Sequence, residues 1–225
     1  MLDKTSLDAS ALFPSIQKTP YGAEIFIIDD DPMIGDLLGA VFSSEGYQVT
    51  TFTDGEEFNT VAQSRAPPAC VILDFLMPGR SGPDILKDIH AHNYAAPIIV
   101  MSGMAGIPMA VEAIKSGAFD FIEKPFALGA IVERVSDAIV AWTRHRSNGN
   151  NRESLRTKFP GCRALTLREA EVLAEIVGAA SSRETAQHLG ISPRTVDIHR
   201  AHIMTKLGAR NTADLVRIAL SSQQY

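Results

Sequence analysis

Four short apolar runs in the first 125 residues each stop on a polar side chain, and that recurrence narrows what the chain can fold into. The run Ala69, Cys70, Val71, Ile72, Leu73 ends at Asp74 and is followed by Phe75, Leu76, Met77, Pro78 and Gly79. An aliphatic run closed by Pro and Gly reads as a buried parallel strand feeding a loop. A second run, Glu24 to Ile28, ends in Asp29, Asp30 and Asp31. Pro97 to Met101 stops at Ser102-Gly103, and Phe119 to Glu123 stops at Lys124-Pro125. Open α/β sheets build ligand sites outside the carboxyl ends of their strands, so this pattern gathers acids, a hydroxyl and an ammonium in one place. Crowded carboxylates need a cation and suit Mg²⁺, a hydroxyl can bond a phosphoryl oxygen, and a lysine neutralises developing negative charge. A single Asp at a strand end is more often a turn or a helix cap. Four matching ends in order read instead as an aspartyl-phosphate site.

Helical patterns fill the gaps between the runs. Pro32 opens one with Ile34, Leu37, Leu38, Val41 and Phe42 on its apolar stripe, and Tyr47 to Phe52 makes another strand. Asp54 caps a helix carrying Phe58 and Val61. Further helices carry Ile85, Leu86 and Ile89, and then Met109, Val111 and Ile114 before Gly117. Strand and helix thus alternate five times. The last helix, Leu128 to about His145, bears Ile131, Val132, Val135, Ile139 and Trp142. That stripe faces the core on one reading. It outruns what a sheet can cover, so a partner helix is the other.

Residues 23 to about 142 resemble a response-regulator receiver domain. The resemblance rests on Asp29-Asp30, Asp74 with Met77-Pro78-Gly79 and Ser81-Gly82, Ser102-Gly103 and Lys124-Pro125-Phe126. It implies a flavodoxin/CheY-like fold, a doubly wound five-stranded parallel sheet. It also implies Asp74 as phosphoacceptor, with Asp29, Asp30, Asp74 and the Leu76 backbone carbonyl around Mg²⁺. Ser102 and Lys124 become phosphoryl ligands, a cis Lys124-Pro125 bond holds the lysine inward, and Ser102 and Phe121 take the switch positions. Plain core packing remains the other reading of Phe121. In receivers the residues two beyond the phosphoacceptor and two beyond the hydroxyl flank the path of attacking water. Here these are Leu76 and Met104, neither able to orient a water, so a long-lived phosphoryl group is expected.

Charge divides the 225-residue chain. Residues 1–142 carry 8 Lys and Arg against 19 Asp and Glu, whereas residues 143–225 carry 13 against 7. An acidic half joined to a basic one suggests a metal-binding module linked to a module that meets polyanions. Cys70 and Cys162 form neither a disulfide framework nor a zinc spacing, which fits a reducing cytoplasm. No apolar run approaches the roughly 18 residues needed to span a bilayer, and Asp3 and Asp8 stand where a secretory signal would be basic and then apolar. The expectation is a cytoplasmic protein with no membrane partner.

The domains are expected at 1–22 (an extension without sustained periodicity), 23–145 (receiver), 146–162 (a polar, mildly basic linker) and 163–225. The last segment is patterned as helices throughout. Thr166 caps the first, Ser182 the second and Ser192 the third, with Pro193 at its first turn; Gly178 and Gly190 end the first two. A short helix, the turn Gly190-Ile191-Ser192 and a longer helix make a helix-turn-helix. An ordinary small helical bundle is the alternative. Residues 163 to 221 resemble the LuxR/FixJ-type DNA-binding domain of the NarL/FixJ family. The text that carries this is Leu165-Thr166, Arg168-Glu169, Glu171-Val172-Leu173, Ala186, Leu189-Gly190-Ile191-Ser192-Pro193-Arg194-Thr195-Val196, His199, Lys206-Leu207-Gly208 and Leu215-Val216. It implies an all-α four-helix domain whose third helix, Pro193 to about Leu207, enters the DNA major groove.

Helical spacing sorts that third helix. Val196, His199, Ile203 and Leu207 form its core face, leaving Arg194, Asp197, Ile198 and Ala201 outward. Arg194, Thr195, Arg200 and Lys206 are candidate phosphate contacts, and Asp197, Ile198 and Ala201 are candidate base readers. The acidic Asp197 is similar to the FixJ branch. His199 lies on the apolar face and is expected to be a satisfied core histidine rather than a metal ligand.

The expected function is a two-component response regulator, not an enzyme: a sensor histidine kinase phosphorylates Asp74 and thereby controls homodimerisation and binding to an inverted-repeat operator in double-stranded DNA. RNA polymerase is a further candidate partner. A metal-dependent phosphatase with an aspartyl nucleophile is the rival reading. Such enzymes typically place a second Asp two residues beyond the nucleophile, where this chain has Leu76. A receiver that is never phosphorylated is the third.

Overall fold

The chain is seen in a computed structural model that describes residues 22–91, 94–103, 107–147 and 165–221. The N-terminal extension up to residue 21, Met104, Cys162 and the polar linker from residue 148 lie outside the described residues.

Five strands, β1 (Glu24–Ile28), β2 (Gln48–Phe52), β3 (Cys70–Asp74), β4 (Ile98–Ser102) and β5 (Asp120–Glu123), form one parallel sheet in the order β2-β1-β3-β4-β5. β3 and β4 are buried along their whole length, because helices cover both faces of the sheet. Strand alternation then splits the core in two. Ile25, Ile27, Ile72, Ile99 and Met101 face α1 (Pro32–Ser44) and α5 (Leu128–Ser147). Phe26, Ile28, Val71, Leu73 and Val100 face α2 (Gly55–Ser64), α3 (Gly82–Ala91) and α4 (Ile107–Lys115). The expected doubly wound sheet is the observed one.

Helix starts follow local chemistry. Asp31 accepts a hydrogen bond from the Met33 amide at 2.9 Å with Pro32 in the first turn, and Asp54 accepts one from the Glu56 amide at 3.1 Å. Ile28 pairs with Leu73 and Asp74 with Met101, so the ends of β1, β3 and β4 lie side by side. At Gly82 a Cβ would sit 2.8 Å from Phe75 Cα and 2.9 Å from the Asp74 carbonyl oxygen, so only glycine lets α3 begin this close to the end of β3.

The remaining described residues form α6 (Leu167–Val177), α7 (Ser182–Leu189), α8 (Pro193–Leu207) and α9 (Thr212–Ser221). Thr166 with Glu169 makes a capping box on α6. The cap of α7 is Ser181, not the expected Ser182: Glu184 sits three residues beyond Ser181 and closes the box, which fixes the boundary one residue earlier. Gly178 follows α6 as expected, yet the left-handed residue there is Ala179 (φ 62°).

The α5 stripe faces the core, the first of its two readings, and a different part of the helix meets the second domain. Ile131, Val135 and Ile139 are buried in the receiver core, and the C-terminal half of α5 receives α7. The contact is close at Gly190, where a Cβ would lie 2.7 Å from the Asp137 carbonyl oxygen and 3.0 Å from Ala141 Cβ. Trp142 donates to the Ala95 carbonyl at 3.1 Å and meets Phe119 edge-on.

Candidate phosphoacceptor site and DNA-binding face

Asp74 closes β3 as a buried carboxylate. Carboxylate oxygens of Asp29, Asp30 and Asp74 lie within 4.8 Å of one another, the cluster that could hold a cation among the described residues. Lys124 reaches across from the end of β5, with Nζ 2.7 Å from Asp29 Oδ2 and 3.4 Å from Asp74 Oδ2. The bond from Lys124 to Pro125 is cis, as the receiver resemblance implies. Asp29 also accepts from the Asp31 amide at 3.0 Å, which fixes its orientation.

Burial is the main cause that pushes the Asp74 carboxyl above its ordinary range, with the Asp29 charge acting the same way and Lys124 opposing both. Asp74 Oδ1 and Ser102 Oγ are each buried without a hydrogen-bond partner. Orphaned polar atoms in a buried setting cost free energy unless a ligand satisfies them. Two orphans beside three carboxylates fit a hard divalent cation together with a phosphoryl group. Of the residues gathered by sequence, Asp29, Asp30, Asp74 and Lys124 meet in one site, and Ser102 ends the adjacent strand, its carbonyl accepting from the Lys124 amide at 2.8 Å. The Leu76 amide bonds to Asp74 while its side chain is exposed, and Phe121 is buried in the apolar cluster of α4 and β5.

The expected recognition helix α8 lies against the sheet domain. Asp120, at the start of β5, is 1% exposed and receives the Thr195 hydroxyl, the Ser192 amide at 3.2 Å and Arg134 at 3.2 Å. Arg194 pairs with Glu123 at 3.1 Å, and Ile198 is buried in the same cluster as Phe121 and Ile114. Arg168 of α6 stacks over the Phe119 ring, 4.2 Å from its centroid. Of the expected DNA contacts, Thr195 and Ile198 are thus covered by the receiver, while Asp197 and Ala201 stay exposed. Lys206 is placed on buried Glu169 at 2.7 Å, tying the end of α8 to the cap of α6. Sequence reading missed Asp120, Glu123, Arg134 and Arg168. The available signal was an aspartate heading an apolar strand, a position where a carboxylate needs partners.

His199 is buried with both ring nitrogens unpartnered, and burial, with the Arg168 charge adding to it, lowers its pKa to about 3. The core placement is the expected one, but a satisfied histidine was expected and neither ring nitrogen here has a partner. The unfolded chain binds its proton near pH 6.5 and the folded chain near 3. Stability on this account is complete above 6.5 and falls by about 1.4 kcal/mol per pH unit between 6.5 and 3. His199→Leu should flatten the acid limb of the unfolding curve in that window; an unchanged limb would remove His199 from the account.

Comparison with known proteins agrees with this geometry. Residues 25–136 match the family model for the response regulator receiver domain, and residues 163–219 match that for bacterial regulatory proteins of the luxR family. The chain is 37% identical over 196 residues to the C4-dicarboxylate transport transcriptional regulatory protein DctR of Rhodobacter capsulatus, covering 86% of this chain and 98% of that one. It is 36% identical over 201 residues to the transcriptional regulatory protein FixJ of Azorhizobium caulinodans, covering 89% and 93%. Among solved structures, full-length FixJ from B. japonicum matches with a TM-score of 0.52 at 33% identity, over 90% of this chain and 98% of that one. Sheet, site and helical module define a two-component response regulator that controls transcription. The chain belongs to the family that joins a receiver to a LuxR-type DNA-binding domain, the group in which FixJ and DctR are its relatives. Receivers bind Mg²⁺ at such an acidic pocket, and regulators of this kind typically carry out no turnover of their own. Among the described residues no helix is long and apolar enough to cross a membrane.

Proposed function

We propose that Asp74 is the phosphoacceptor of this regulator, that the regulator acts in the cytoplasm, and that a sensor histidine kinase supplies the phosphoryl group. The observation that carries this is the pair of buried orphans, Asp74 Oδ1 and Ser102 Oγ, beside Lys124 and the Asp29, Asp30 and Asp74 oxygens. An ionised Asp74 oxygen attacks the phosphorus, the bond from phosphorus to the kinase nitrogen breaks, and an acyl phosphate remains on Asp74. Mg²⁺ held by Asp29, Asp30, Asp74 and the Leu76 carbonyl would offset the negative charge of that group. Lys124 offsets more of it, and the Ser102 hydroxyl donates to a phosphoryl oxygen. The chain acts by binding rather than by turnover, over a receiver at 23–145, a linker at 146–162 and a DNA-binding domain at 163–225.

Regulation follows from what α8 touches. Asp120 and Glu123 engage Ser192, Arg194 and Thr195, so the receiver competes with DNA for the start of the recognition helix. Phosphorylation frees this face, and two copies then bind an inverted repeat with half-site centres about 10 base pairs apart. Phe121, in the cluster that buries Ile198, couples the two events with Ser102. Acetyl phosphate or BeF₃⁻ with Mg²⁺ tests the acceptor. Wild type should be modified and Asp74→Asn inert; acid-labile phosphate persisting in Asp74→Asn would refute the assignment.

The exposed apolar Leu76 predicts a slow phosphatase reaction, since it cannot orient a water for in-line attack. Leu76→Asn should shorten the lifetime of the ³²P-labelled protein by about 3- to 10-fold, the scale of one added hydrogen bond. Equal decay in the two proteins counts against this account.

A further inference from the structure

Three side chains on the DNA-facing side of the helical module close a triangle that sequence reading did not foresee. Ser182 Oγ, at the start of α7, donates to Asp197 Oδ1 at 2.8 Å. Arg200 Nη2 lies 2.9 Å from the same Asp197 oxygen, and Arg200 Nη1 donates to Ser182 Oγ at 3.2 Å. We infer that Asp197 is a positioning residue: it holds Arg200 and the Ser182 hydroxyl as a preformed seat for a DNA phosphodiester, and does not itself read a base. This rests on the DNA-binding assignment made above.

Stability does not account for the triangle. Asp197 and Arg200 retain 52% and 37% side-chain exposure, and an exposed pair three residues apart on a helix is worth only a few tenths of a kcal/mol. Preorganisation does account for it. A free arginine loses about 2 kcal/mol of rotamer entropy when it is ordered, and a planar guanidinium already oriented loses less on meeting a phosphate. Arg200 and Ser182 border an open pocket of about 380 Å³ lined also by Ile176, Thr185, Val196 and Val216. That pocket gives the arginine side chain somewhere to turn once Asp197 is gone.

Position on the helix separates phosphate from base. At 100° per residue, Arg194, Ile198 and Ala201 share the outward centre of α8, whereas Arg200 lies on the flank next to the core residue Val196. In a helix lying in the major groove, the centre meets base edges and the flank meets backbone. The start of α7 adds the positive end of an eight-residue helix beside Ser182. Asp197 alone would repel a phosphate, and Arg200 cancels its charge. The interdomain contacts run through Ser192, Arg194, Thr195 and Ile198, so the triangle stands while α8 is still covered.

The test is a double-mutant cycle on the full-length chain loaded with BeF₃⁻ and Mg²⁺, read by binding to a selected operator, to its single-base variants and over a salt series. Asp197→Ala should weaken binding by about 3- to 10-fold uniformly across sequences, the scale of one lost hydrogen bond. Arg200→Ala should weaken it similarly and lower the slope of log K against log[salt] by about 0.9. In the Arg200→Ala background the sign should reverse, with Asp197→Ala tightening binding, because only the repelling carboxylate is then removed. Thermal melts confirm that each variant is folded. Relaxed preference at one base position in Asp197→Ala would make it a reader and overturn the inference. So would tightening by Asp197→Ala in the otherwise wild-type chain, or simple additivity of the two changes. Wild type showing no sequence preference would overturn the DNA-binding assignment itself.

Discussion

Unphosphorylated Asp120→Ala should bind operator DNA about 10- to 100-fold more tightly than unphosphorylated wild type. The Asp120 carboxylate is buried and accepts the Thr195 hydroxyl and the Ser192 amide from α8 while paired with Arg134. Hydrogen bonds to a charged group contribute about 1.5–3 kcal/mol each, and because the released Ser192 and Thr195 groups regain water, a net loss the size of one such bond shifts the balance between covered and free α8 by about one to two orders of magnitude. Apparent DNA affinity scales with the fraction of chains whose α8 is free, so that shift appears directly in binding. Placing the change on the receiver leaves every DNA-contacting side chain intact. Glu123→Gln should have a much smaller effect, since the half-exposed pair with Arg194 is worth at most about 1 kcal/mol. With BeF₃⁻ and Mg²⁺ the wild type should bind more tightly still than unphosphorylated Asp120→Ala, because dimerisation adds to the release of α8. If unphosphorylated Asp120→Ala binds no better than wild type while still accepting BeF₃⁻, the receiver does not restrain α8 through this carboxylate.

The second large effect is at Asp74. Asp74→Asn should take up no phosphate, stay at the low DNA affinity of the unmodified protein and remain monomeric at micromolar concentration with BeF₃⁻ present. Wild type under the same conditions should sediment as a dimer and protect both halves of an inverted repeat. Avidity explains the dependence: the module from Leu165 onward holds 7 Lys and Arg against 6 Asp and Glu, too little charge for strong non-specific binding, so two linked copies are needed. A BeF₃⁻-loaded wild type that protects its operator as a monomer would contradict the scheme, as would a tight dimer formed equally well without the phosphate mimic.

The same substitution has a signature in stability. Burial raises the Asp74 pKa, so the native carboxyl holds its proton more tightly than the unfolded one. Its ionised form therefore costs stability at neutral pH, and that cost fades as pH falls through the raised pKa. Asp74→Asn should melt higher than wild type in Mg²⁺-free buffer at pH 7, by about 2–4 °C for each kcal/mol relieved, and the gap should close on acidification. Equal melting at both pH values would mean that the carboxylate is already compensated, chiefly by Lys124.

The elements and the cluster of strand-end carboxylates were legible in the sequence, because both are written in short-range chemistry. An aliphatic run that ends on Asp74 or Ser102 can hardly be other than a buried strand with its polar end at the sheet's edge. Parallel pairing then carries Asp29, Asp74, Ser102 and Lys124 together without further instruction. The start of α8 was equally legible from Ser192 followed by Pro193. Where local signals compete they can mislead by a residue, as Ser182 did for Ser181, because only the Glu184 side chain decides which serine is the cap.

What covers α8, and which side chains Asp197 meets, came only from the packing in three dimensions. Thr195 meets Asp120 across 75 positions of sequence, and Ser182 meets Asp197 across 15, separations at which neither helical nor strand periodicity carries information. Ile198 faces outward by helical spacing and is nevertheless buried, because the surface that covers it belongs to the other domain. Asp120 drew no attention inside the run Phe119 to Glu123, because its α8 partners came from a domain whose placement no local pattern encodes. Side-chain chemistry set which groups could pair, and the docking of one domain on the other selected which of them did.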